Sequence, residues 1–74
     1  METKVIGQNI KFYRESLKIT QFELANYLNK ARSTIAEIEN GKFNISYELI
    51  SKIANYLAVP DFYLTKLDNS LKYL

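Results

Sequence analysis

The stretch ARSTIAEIENGK, Ala31 to Lys42, sets a basic residue and two hydroxyls ahead of spaced isoleucines and two acids, Glu37 and Glu39. These groups donate and accept hydrogen bonds; nothing near them breaks bonds. The chain has no histidine and no cysteine, so the commonest general base, the best thiol nucleophile and the usual zinc ligands are missing. Its only glycines, Gly7 and Gly41, make no phosphate-cradling loop, and its carboxylates are scattered among lysines. The sequence therefore reads as a binding domain rather than an enzyme, with no cofactor and no metal.

If the stretch is a helix, its two acids face different ways. Successive helical residues turn by about 100°, so with the core direction between Ile35 and Ile38, Glu39 falls about 70° from that axis. Ser33, Glu37 and Asn40 form the opposite stripe. Glu39 faces protein and needs a partner, because a lone buried carboxylate is very costly. Arg14 is the one candidate on the apolar face of the first helix. Glu37 faces outward, where two readings stand. It is a solvated surface acid, or it accepts a hydrogen bond from the amino group of a cytosine in a major groove.

The elements that hold these residues are short helices. Helical spacing recurs along the chain and strand alternation is nowhere sustained. A first helix is expected from about Lys4 to Leu17, with Thr3 as N-cap and Ile6, Ile10, Tyr13, Arg14 and Leu17 on one face. TQFE reads as a capping box in which Thr20 and Glu23 satisfy each other's amides, starting a helix with Leu24, Ala25 and Leu28 inward. Asn29 suits the left-handed turn that follows. The quoted stretch is the third helix, with Gly41 free to take a left-handed C-terminal cap. Ser46 caps a fourth helix, Tyr47 to Leu57, with Glu48 in its first turn. Pro60 suits the first position of a fifth, running through Phe62 and Leu64 toward Leu67. The expected fold is all-α, five helices in one domain, with a core at about residues 4–66 and an extension at 67–74.

Seventy-four residues lie near the lower limit for a single unaided core. With no disulfide to form, a reducing compartment fits. No apolar run approaches the roughly 20 residues that span a bilayer, and the N-terminus lacks the pattern of an export signal. A cytoplasmic protein without a membrane partner is expected. The net charge of +2 permits an anionic partner only if the cations cluster.

ITQFELANYL, ARSTIAEIENGK and ISKIANYLAVPDFYL together resemble the lambda-repressor-like, Cro-type helix-turn-helix family of phage and bacterial regulators. The resemblance runs from about Ile6 to Leu64. It implies a second helix across the DNA backbone, a third in the major groove, and usually a dimer on a near-palindromic operator. Carried over by position, Arg32, Ser33 and Glu37 occupy base-reading places on the third helix. Gln21 matches a phosphate-contacting glutamine at the start of the second. Lys30 and Thr34 beside the turn are expected to contact phosphate as well, and Asn40, Lys42 and the amides around Phe43 and Asn44 match a backbone-clamping loop. Arg14 and Glu39 fall where several phage repressors of the family hold a buried ion pair. The chain departs from the family pattern at Asn29 and Lys18, where glycine is usual, at Lys30 for an apolar residue and at Ile45 for proline. Ala31 replaces a capping hydroxyl, at a cost of about 1 kcal/mol.

Each of these has a plainer reading: Gln21 as a surface side chain, Arg32 as partner to a nearby acid, Ser33 or Thr34 as a substitute helix cap. Two function classes follow. One is a sequence-specific transcriptional regulator, a repressor or autoregulator bound to double-stranded DNA. The other is a protein-interaction module on the same scaffold, such as an antitoxin-like partner. Leu64, Leu67, Leu71 and Leu74 would form one apolar stripe if the last helix ran on, which suggests a homodimer contact; DNS, Asp68 to Ser70, favours a turn, and the other reading is a frayed tail. No small-molecule effector follows from the residues.

Overall fold

The computed structural model describes residues 2–67. Among them the chain forms five helices and no strand: α1 (Thr3–Ser16), α2 (Gln21–Leu28), α3 (Arg32–Glu39), α4 (Tyr47–Leu57) and α5 (Asp61–Thr65). None of these helices is long and apolar enough to cross a membrane.

Local sequence sets most of the boundaries. The hydroxyl of Thr20 accepts from the Glu23 amide at 3.0 Å, and the Glu23 carboxylate accepts from the Thr20 amide at 2.8 Å. Ser46 Oγ accepts from the Leu49 amide and so starts α4. Two expected starts differ. Glu2, not Thr3, sits at the cap of α1, and Thr3 lies inside the first turn, its hydroxyl donating to the Gly41 carbonyl at 3.3 Å. Pro60 is itself the cap of α5, because its ψ of 147° is extended rather than helical.

The ends of α1 to α4 share one geometry. Lys18, Asn29, Gly41 and Ala58 all have φ between 57° and 74°. In each case the residue after them donates its amide back into the last turn, as Lys42 does to the Glu37 carbonyl at 2.9 Å. This double closure satisfies carbonyls that a helix end leaves bare. It also explains a failed expectation: the chain turns away at Leu17 and Lys18, so Leu17 leaves the apolar face and is exposed. Likewise α5 stops at Thr65, which leaves Leu67 exposed, while Phe62 inside α5 points away from the core.

Ile6, Ile10, Leu24, Ile35, Ile53 and Leu64 are among the side chains filling the core, joined by Ile45 from the loop before α4. Helix α1 crosses the end of α3 at Gly7. A Cβ there would run into the Ile38 carbonyl and sit 2.8 Å from that of Glu39. Buried Asn9 spends both amide hydrogens on α5 and its exit, donating to the Leu64 and Lys66 carbonyls at 2.9 and 3.0 Å. Helix α1 thus fixes α3 on one side and α5 on the other.

Candidate nucleic-acid interface

Helices α2 and α3 meet through a turn at Asn29 to Ala31. Asn29 adopts the left-handed conformation, with φ of 57°, which costs a short polar side chain less than most. Ala31 then enters α3 in extended conformation with no side-chain acceptor for the helix amides. Ser33 and Thr34 do not replace it as caps; Thr34 instead donates its own amide to the Ala31 carbonyl at 3.0 Å. The N-terminus of α3 therefore presents bare amide groups, the feature that draws anions to helix starts.

Behind α3 lies a charged group each of whose three nitrogens has a partner. Arg14 Nε donates to Glu39 Oε2 at 2.6 Å and Arg14 Nη2 to Glu39 Oε1 at 3.0 Å, with both side chains almost wholly buried. The remaining arm of Arg14, Nη1, donates to the Ile19 carbonyl at 2.7 Å. This two-pronged contact holds the guanidinium charged, raising its pKa further above the ordinary arginine value although burial opposes it. The pair joins the middle of α1 to the last turn of α3.

The contact does not stop at the pair. Gln21 Nε2 donates to Glu39 Oε1 at 3.0 Å, and Arg32 Nη1 donates to Gln21 Oε1 at 2.8 Å. The amide orientation follows from its neighbours, since a reversed Gln21 would set oxygen against carboxylate and NH2 against guanidinium. A continuous chain thus runs from Arg14 through Glu39 and Gln21 to Arg32 at the tip of α3. Among the described residues Gln21 keeps one amide hydrogen, and Arg32 four of the five donors a guanidinium carries, without a partner.

Of the residues singled out by sequence, Arg32, Ser33, Glu37 and Asn40 lie exposed along α3, while Lys30 and Lys42 are exposed just before and after it. Asn44 is exposed in the following loop, whereas Gln21, Thr34 and Phe43 are half-buried. Phe43 packs partly against the core, so its ring serves the fold at least in part. The Arg32–Gln21–Glu39 link was not foreseen in the sequence. Its signal was the pairing of a glutamine at the start of α2 with an inward acid on α3.

The helix-turn-helix family matches residues 10–64. The chain is 37% identical over 54 residues to the immunity repressor protein of Bacillus phage phi105, covering 73% of this chain but only 38% of the repressor. It is 42% identical over 50 residues to an uncharacterized HTH-type transcriptional regulator of Methanocaldococcus jannaschii, covering 68% of this chain and 76% of that one. In structure it resembles the restriction-modification controller protein C.AhdI of Aeromonas hydrophila, with a TM-score of 0.78 and 27% identity, covering 84% and 94% of the two chains.

Proposed function

Because this chain belongs to the helix-turn-helix family, in its lambda-repressor-like branch, we propose that it is a DNA-binding transcriptional regulator of the repressor type. In this reading it acts in the cytoplasm and reads the major groove of double-stranded DNA with α3. The observation that carries the reading is the exposed stripe of α3, where Arg32 stands tethered through Gln21 to a buried ion pair. A guanidinium so held is preorganised to meet the N7 and O6 acceptors of a guanine. Ser33 reads an adjacent base edge. Glu37, the outward acid, accepts from a cytosine amino group and repels bases that offer only acceptors there.

Phosphates bind around that stripe. The free amide hydrogen of Gln21, the bare amides at the start of α3, Thr34 and Lys30 grip one strand near the turn. Asn40, Lys42 and the backbone at Phe43 and Asn44 grip the other side. Phosphate contacts fix register and base contacts fix sequence.

We place the whole chain in one DNA-binding domain that works as a homodimer on a near-palindromic operator. Leu64 is fully buried in the body and cannot serve the second copy, which leaves exposed Leu67 as the first residue available. Leu71 and Leu74 lie outside the described residues. A chain cut after Lys66 is expected to dimerise more weakly by sedimentation equilibrium; unchanged dimerisation would remove the extension from the contact.

Selection of bound sequences from a random DNA pool, followed by mobility shifts across a salt series, tests the function. The expected result is one enriched near-palindrome whose affinity falls steeply as salt rises. Failure to enrich any sequence would return the chain to the class of protein-interaction modules.

A further inference from the structure

A carboxylate accepts hydrogen bonds and donates none, and buried Glu39 imposes that rule on the residues around it. Its Oε1 takes two donors, Arg14 Nη2 and Gln21 Nε2, each at 3.0 Å, and its Oε2 takes Arg14 Nε at 2.6 Å. The Glu39 side chain is 2% exposed, so these protein donors have its oxygens almost to themselves. Gln21 is therefore admitted only with its NH2 group inward. Its oxygen must face out, where Arg32 Nη1 meets it at 2.8 Å. Every donor in the chain points toward Glu39: Arg14 and Gln21 directly, Arg32 through Gln21. A free surface glutamine could turn either way; this one cannot.

The tether also decides how Arg32 is presented. A guanidinium is planar and carries its five N–H donors in a rigid fork. Nη1 is engaged by Gln21, while the edge formed by Nε and Nη2 has no partner among the described residues. That edge offers two parallel N–H groups, which match two neighbouring acceptors such as N7 and O6 of guanine. Adenine shows an acceptor beside a donor in the same place and satisfies only one of them.

We propose that Glu39, buried away from any ligand, is a positioning residue that sets the base Arg32 prefers. By locking Gln21 it holds Arg32 with the Nε–Nη2 edge turned to guanine. This rests on the DNA reading proposed above and adds to it a source of specificity inside the protein. A mere strut between α1 and α3 would set the angle of α3 and so affect every base pair alike. A relay through Gln21 affects one.

Two variants separate these roles. Gln21→Leu cuts the relay and leaves the ion pair in place. Arg14→Met with Glu39→Leu removes the acceptor and leaves Gln21. In the free protein, nitrogen relaxation at Arg32 Nε reads the tether. An order parameter above about 0.7 in the wild type should fall below about 0.6 in both variants. On DNA, the pair to follow is the one whose preference is lost in Arg32→Ala. Its preference for guanine should fall about threefold or more in both variants, while preferences at other pairs hold within about twofold. Gln21→Leu also drops a phosphate contact, which lowers affinity for all sequences without changing preference. An unchanged preference at that pair in Gln21→Leu would overturn the proposal, and this variant leaves the core untouched should the double one be unstable. Equal loss at every pair would overturn it too, leaving the ion pair as a strut. An Arg32 as mobile in the wild type as in the variants would remove the tether itself. If no DNA sequence were enriched, the base preference would fall with the function proposed above, and relaxation would still decide whether Glu39 holds Arg32.

Discussion

Arg32 at the first position of α3 donates to Gln21 at the first position of α2 across 2.8 Å, and Gln21 in turn donates to buried Glu39. The side chain proposed to read DNA is therefore oriented from behind, by residues that never leave the protein. An exposed arginine has many rotamers to lose on binding, and a side chain already held loses fewer.

That coupling is measurable in DNA binding. Gln21→Ala removes both the tether and Gln21's own phosphate contact and is expected to weaken operator binding, and only a coupling with Arg32 separates the two effects. In a double-mutant cycle with Arg32→Ala, we expect a coupling of about 0.5–3 kcal/mol in binding free energy. Additive losses would mean that each residue meets DNA independently.

The buried pair behind Gln21 invites a second cycle, in stability. Arg14→Met strands the Glu39 carboxylate and should cost about 3–5 kcal/mol, a large share of what a small domain has. Arg14→Met combined with Glu39→Leu should recover most of that loss, since a buried ion pair is often no better than apolar packing. Recovery should fall short by about 1 kcal/mol, because Ile19 loses the donor to its carbonyl and Gln21 its acceptor. Urea denaturation of the three variants gives the result. Failure of the double mutant to recover would show that the two side chains do not interact.

Backbone strain predicts variants that stabilise. Lys18 and Ala58 both turn helix ends at positive φ, 59° and 58°, where a Cβ costs about 1–2 kcal/mol. Glycine relieves that, at an entropic cost of about 0.5–1 kcal/mol. Lys18→Gly and Ala58→Gly are each expected to gain about 0.5–1 kcal/mol in thermal or urea unfolding. Asn29→Gly should gain less, because asparagine already tolerates the conformation. Equal or greater gain at Asn29 would contradict this ranking.

What was legible in the sequence was local or periodic. The Thr20–Glu23 capping box, the Ser46 cap and the left-handed turn at Asn29 follow from residue types a few positions apart. The inward placement of Glu39 followed from helical spacing alone, and the family resemblance covered the stretch that the family match covers. What escaped depends on distant parts of the chain meeting. Gly7 matters because the backbone of α3 passes against it, and Asn9 because the exit of α5 ends at its amide. Neither neighbour is near in sequence. Leu17 misled because apolar spacing continues one residue beyond Ser16, where α1 ends and the chain turns away through Lys18.

The central claim, that α3 reads DNA through Arg32, is tested most directly by one comparison. Wild type, Arg32→Ala and Lys42→Ala are measured against the selected operator and each of its single-base-pair variants, at two salt concentrations. Arg32→Ala should lose about 1–3 kcal/mol on the operator and lose its preference at one base pair of each half-site. Lys42→Ala should weaken every sequence nearly equally and flatten the salt slope by about one. A uniform loss across all sequences for Arg32→Ala would make Arg32 a phosphate contact and contradict the account.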